Sequence, residues 1–222
     1  SGLTNSGIVG DHGGLFAQPN GTLLIPTNSA IYPNSHPTNG GSVKLVVRNL
    51  SVELGGQLNG NGAGFGPRPT VNSRGYGPGG GYGNLSGGGG GHGGKGGDGN
   101  PGHGSNAGGP SYGSSNTPPM HAGSCGGRGG GVGGAGGSLI WVEASGRITV
   151  NGAVTANGAA GSGCAGGGAG GGIYLICNTF AGSAPGALSV TGGVCGAESG
   201  GGAGGRIQIW AVNNQSVGLT IS

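Results

Sequence analysis

Few side chains in this 222-residue chain are of a type that does chemistry. The five acids are Asp11, Glu53, Asp98, Glu143 and Glu198, and no two are adjacent or four apart. Neighbouring positions therefore supply no paired carboxylates for acid–base work. Gly161-Ser162-Gly163 lies inside a glycine run and not at a strand-to-helix turn, so it is not a nucleophile elbow. His92, Asp98 and His103, with His121 nearby, are of the type that ligates copper or zinc. In a glycine-rich stretch they read instead as polar spacers, and Asp11-His12 reads as part of a turn. No Cys-x-x-Cys occurs, and the histidines are not phased with the cysteines. The expectation is a protein with no catalytic site, no metal and no cofactor.

Two further sets of residues carry modification chemistry. Cys125, Cys164 and Cys195 each stand near the head of a glycine run, and Cys177 ends an apolar segment. Their even number fits two disulfides that staple neighbouring glycine segments in an oxidising compartment, and four cysteines allow three pairings. Asn20, Asn49, Asn84 and Asn214 each precede Thr or Ser at the second following position. Each is a candidate N-glycan acceptor in a secreted protein.

Composition narrows the partners. The net charge of +3 is too small to argue for nucleic acid or an anionic membrane surface. Tyr76, Tyr82 and Tyr112, with Arg74 and Arg128, have the setting of aromatic and arginine groups that stack on single strands, but only one Arg-Gly-Gly is present. No apolar run approaches the roughly 18 residues that a spanning helix needs. Glycine supplies 67 residues, yet no Gly-X-Y period runs through them, which excludes collagen. Disordered tails are rich in charge, and this chain holds only 8 basic and 5 acidic residues.

The elements that would position these groups form a repeat. Four times a Gly-Gly pair runs into a short apolar strand: Ser42–Val47, Ser138–Val142, Gly172–Cys177 and Arg206–Trp210. Positions 138, 172 and 206 are 34 apart, the mark of a stacked architecture. Each unit reads as strand, turn, strand, Gly/Asn turn and glycine run, without helical period. Val43, Leu139, Ile173 and Ile207 are expected to form one ladder. Leu45, Trp141, Leu175 and Ile209 form another on the same face, with Val46, Val142, Ile176 and Trp210 opposite.

The fold class expected is all-β: stacked strand repeats, solenoid or sandwich-like, with glycine-rich polyproline-II segments alongside and essentially no helix. Residues 1–41 read as an entry segment with short strands and 42–62 as the first unit. Residues 63–137 form a glycine-rich insert, either disordered or extended, and 138–222 form the repeat core. The chain opens at Ser1 without methionine, which reads as a mature product or fragment. Leu219-Thr220-Ile221-Ser222 stands in mid-unit, and Ser1–Gly7 reads as the remaining half.

Gly136–Ala144, Ile148–Gly152, Val154–Gly158 and Gly166–Gly172 resemble repeats of glycine-rich extracellular surface proteins, and Gly200–Ile207 is similar to the segment that opens a strand in them. The glycine runs of 87–137 look like those of springtail antifreeze proteins, whose fold resembles a bundle of polyproline-II helices. The first resemblance implies a structural protein of the cell exterior. An open strand edge pairs with another chain, and a head-to-tail contact that does not close gives a filament. The expectation is therefore a self-assembling homopolymer, carrying glycans, with no nucleic acid and no membrane span. The alternatives are a monomeric ice-binding protein and an adhesive surface module.

Overall fold

The computed structural model describes residues 2–4, 12–104, 106–114 and 116–222, with side chains from residue 14 onward. The strands are β1 (Gly2–Thr4), β2 (His12–Ile25), β3 (Ala30–Asn34), β4 (Ser42–Val52), β5 (Gln57–Asn59), β6 (Leu139–Val150), β7 (Ala153–Thr155), β8 (Gly172–Ser183), β9 (Ala187–Ser189), β10 (Arg206–Val217) and β11 (Thr220–Ile221). A single 3-10 turn at Pro101–His103 is the only helical element among the described residues. Long strands form one sheet in the order β10-β8-β6-β4-β2, and short strands form the other, β1-β3-β5-β7-β9-β11. Every pairing is parallel and neither sheet closes into a barrel. Long and short strands alternate along the chain, which is why each sheet takes every second element.

The core lies between the two sheets. Phe16, Leu45, Val142, Leu175 and Ile209 stand level on successive long strands. Ile31, Leu58, Val154, Leu188 and Ile221 do the same on the short ones. Leu45, Val142, Leu175, Leu58, Val154 and Leu188 are fully buried. Removing each such side chain from water stabilises the fold by roughly 1.5–3 kcal/mol, an upper bound for a compact unfolded chain.

The register corrects the expected ladders. Leu139 pairs with Gly172 and Gly172 with Arg206, so the spacing is 33 residues and then 34. Ile140, not Leu139, stands level with Ile173 and Ile207, and Val142, not Trp141, occupies the inward row. A one-residue slip moves every side chain to the other face. Trp141 thus lies outside, where its bulk and its N–H find partners. Its Nε1–H donates to Glu143 at 3.1 Å, its ring lies 5.9 Å from Tyr174, and Lys44 Nζ sits 4.6 Å above it. Lys44 and Glu143 close the cluster with an ion pair at 2.8 Å. A second strand follows separately after β8 and β10, as β9 and β11, whereas in the first unit the two expected strands are one, β4, with an irregularity between Val47 and Leu50. That bulge shifts the inward row from Val43, Leu45 and Val47 to Leu50 and Val52.

The glycine segments pack by backbone. Along 166–171, donors turn through three neighbours with a period of three. Gly166 and Ala169 donate to Gly127 and Ser124, Gly167 and Gly170 to Gly200 and Ala203, and Gly168 and Gly171 to Ala159 and Ala156, at 2.7–3.0 Å. The insert belongs to the same array: Gly90 donates to Gly167 at 2.9 Å, Gly97 to Gly201 at 2.9 Å and Gly93 to Gly204 at 3.0 Å. Its glycine segments are thus tied to the repeat by backbone hydrogen bonds. A Cβ on Gly168 would stand 2.0 Å from the Ala135 carbonyl oxygen, so only glycine permits this spacing. Asparagines join successive turns: Asn157 Oδ1 accepts from Thr191 N and from Ser189 Oγ, both at 2.8 Å.

Candidate functional site: the open edges

Because every strand pair is parallel, the two ends of the sheets differ. At one end β10 has β8 on one side and no described strand on the other. It carries no proline, and its pairing with β8 holds a constant offset of 34 residues throughout. Trp210 is 58% exposed and Val212 79%, while Ile207 and Ile209 are only partly buried. Buried strands of this fold spend such residues on packing. Beyond Ala211 the strand turns polar, with Asn214 level with Phe180 and Ser216 level with Gly182. The glycine segment ahead of β10 is open in the same way. A Cβ on Gly204 would have nothing within 4 Å, and one on Gly201 would meet only the Gly193 oxygen at 3.8 Å.

At the other end β2 shows Leu15 and Leu24 to solvent. Here pairing is interrupted between Gln18 and Thr22, and Pro19 in that interval offers no N–H. Bulges and prolines blunt an edge against indiscriminate pairing. A long regular edge therefore faces one way and a partly blunted one the other.

The expected chemical groups are dispersed. Among the described residues no group of three or more His, Cys, Asp or Glu could hold a metal ion. Asp98 pairs with Lys95 at 2.8 Å and also accepts from Gly108 N; these contacts, Lys95 first, hold its carboxyl below the usual range. His103 Nδ1 lies 3.3 Å from Glu198. Asp11 lies outside the described residues. Tyr76 and Tyr82 are covered by Arg68 and Arg74 at 4.6 and 4.9 Å, so those rings and guanidinium groups already serve each other.

His92 and His121 do come together, on either side of Tyr112. His92 is fully buried, stacks on Tyr112 at 4.8 Å, and donates from Nδ1 to the Gly170 carbonyl at 2.8 Å. His121 meets Tyr112 edge-on at 5.8 Å. Burial above all, then the positive Arg206, lowers the His92 pKa to about 4, partly offset by the Gly170 bond. This cluster has no sequence signal, because it draws single residues from segments 29 to 114 positions apart (92, 121 and 206).

The expected staples are not made: Cys125, Cys164, Cys177 and Cys195 are free thiols. They occupy different environments. Cys177 stands in the inward row between Ala144 and Ala211, and Cys125 is buried in the glycine array, where its Sγ donates to Gly126 O. Burial pushes the Cys125 thiol up to about 12 and raises that of Cys177. Cys164 is half-buried and Cys195 exposed. The four sequon asparagines also differ. Asn20 and Asn214 are exposed, on β2 and β10, and Asn84 is half-buried. Asn49 is occupied, donating to Thr22 Oγ1 at 3.2 Å and accepting from Arg147 N at 2.9 Å.

Among the described residues no helix is long and apolar enough to cross a membrane. The chain matches no family model, no curated protein and no solved structure.

Proposed function

We propose that this chain is a structural protein of the cell exterior, the subunit of a filament, fibril or surface layer that grows by adding strands of one copy to another. The observation that carries the reading is the β10 edge: twelve residues of regular strand with Trp210, Val212 and Val217 exposed. Unpaired N–H and C=O groups on such an edge are a template for a further strand. Parallel order makes the ends non-equivalent, so a second copy adds head to tail and the contact does not close. In this reading the alternation of long strand, short strand and glycine segment is a β-solenoid. The donor period of three in 166–171 matches polyproline II, which has three residues per turn. Exposed Asn20 and Asn214 support glycan attachment, and with it an extracellular setting.

Sedimentation across a concentration series, with electron microscopy of the same samples, tests this. Growth into fibres or sheets is expected, and Val212→Lys on the edge abolishes it while leaving the circular dichroism of the monomer unchanged. Monomers at every concentration, without fibres, overturn the reading. Monomers that also show thermal hysteresis and shape ice crystals select the ice-binding alternative.

A further inference from the structure

The buried histidine cluster joins three parts of the chain: the glycine segment at Gly170, residues from Tyr112 to His121, and the start of β10 at Arg206. Residues 112–114 and 116–121 run as a strap past the start of β10. Arg206, the first residue of β10, donates from Nη2 to the carbonyls of Ser114 and Thr117. Tyr112 N donates to His92 O at 3.0 Å, and the Tyr112 hydroxyl donates to Ala122 O and accepts from Ser124 Oγ. The carbonyls of Pro119 and His121 approach to about 3 Å the place a Cβ on Gly172 would take, so the strap lies against the start of β8 as well. At the centre, His92 holds the glycine segment through Gly170 and the strap through the Tyr112 ring.

We propose that this cluster is an acid-operated clasp: protonation of His92 and His121 beside Arg206 releases Tyr112, Ser114, Thr117 and His121 of the strap from the glycine array and from β10. The groups facing His92 are the Tyr112 ring and His121 from the strap, Arg206 from β10, and the backbone of Gly170 and Gly171. None of them is acidic. His92 Nε2, His121 Nδ1 and Arg206 Nη1 are all buried without a protein partner, so a new proton there meets no acceptor. A second and third positive charge would join the one that Arg206 already holds.

The sign follows from where His92 binds its proton. In the closed clasp its pKa is about 4, against 6.5 for the free side chain, so the closed form favours the neutral ring. The clasp is at full strength above pH 6.5 and weakens as pH falls from there to about 4, below which the His92 contribution is constant. Across that window the opening constant rises by roughly 300-fold through His92 alone. His121, also lowered by burial and then by Arg206, acts in the same direction.

Nuclear magnetic resonance of the labelled, full-length chain tests the clasp. The expected result is progressive loss or exchange broadening of the amide signals of Tyr112, Ser114, Thr117 and His121 between pH 6.5 and 4, while signals from the buried rows of β6 and β8 hold. His92→Phe keeps a ring against Tyr112 but cannot titrate, and it flattens most of that pH response. Arg206→Gln removes the neighbouring charge, raises the His92 pKa and narrows the window from its acid side. Strap signals unchanged down to pH 4 overturn the proposal. So does the wild-type pH response in His92→Phe or, should that variant not fold, in Arg206→Gln.

Discussion

The sheet half and the glycine half of this molecule fill space by opposite means. Between the sheets, Leu45, Val142 and Leu175 reach across to Leu58, Val154 and Leu188, and every one is buried. Volume is supplied by side chains, and adhesion comes from apolar surface taken out of water. In the glycine half the chains stand too close for a side chain at most glycine positions. Cβ atoms on Gly166, Gly167 and Gly168 would come within 2.0–2.1 Å of carbonyl oxygens on Gly88, Gly193 and Ala135. Adhesion there comes from backbone hydrogen bonds that leave few groups unpaired. The comparison teaches that the same chain needs large residues in one layer and their absence in the next. A substitution that is mild in one half is severe in the other.

The sharpest way to break this contrast is Gly168→Val. The new side chain would meet backbone on segments 134–135, which is itself hydrogen-bonded on its other sides and cannot withdraw alone. Overpacking ordinarily costs about 1–3 kcal/mol, and here the obstruction is main chain. A loss of about 4 kcal/mol or more is expected, read by denaturant titration, or failure to fold. Ordinary stability in this variant would mean that the glycine half is loosely packed, and the comparison would fall.

Leu175→Ala probes the other half and is expected to cost about 2–5 kcal/mol by the same titration. Leu175 stands between Val142 and Ile209 on the inward row, with neighbouring strands on both sides that resist collapse into the space. The same change at Leu15, exposed on the β2 edge, is expected to fall within about 0.5 kcal/mol. Equal effects at the two sites would show that the row contributes little.

How much of this could be read from the residues differs between the halves for the same reason. Apolar strands announced themselves: Leu45, Leu175 and Ile209 belong to one inward row, and the two parallel sheets follow from strand alternation. The error at Trp141 shows the limit of the repeat. Gly-Gly-Ser138 and Gly-Gly-Gly172 look equivalent, but the pairing sets Leu139 against Gly172. Nothing local to the Gly-Gly junction encodes that one-residue slip; the size of Trp141 and its Glu143 partner do. In the glycine half the sequence is nearly silent. A residue without a side chain does not say which neighbour it faces, so the partners of 166–171 follow from no pattern of letters. The exposure of Trp210 and Val212 was not legible, because it depends on which face of β10 turns outward. His92 was visible as a histidine among glycines, but its burial is a property of the array around it.

A small effect, and one of opposite sign, is expected at Gly204, and it bears on the comparison most directly because the substitution is the gentlest possible. No heavy atom lies within 4 Å of the place where a Cβ would stand, and the backbone there is outside the left-handed region. Ala at such a site restricts the unfolded chain more than the folded one, so Gly204→Ala should leave stability unchanged or raise it by about 0.4–1 kcal/mol. Gly204 O accepts from Gly93 N, so the residue sits on the rim of the array and not outside it. If further copies add at the β10 end, this open face is where their glycine segments would lie, and Gly204→Val should slow fibre growth without loss of monomer stability. A destabilised Gly204→Ala would mean that the rim is packed like the interior, and that the glycine array has no open side at this end. Unchanged growth in a stable Gly204→Val would restrict assembly to the strands, with the glycine half closed off from the contact between copies.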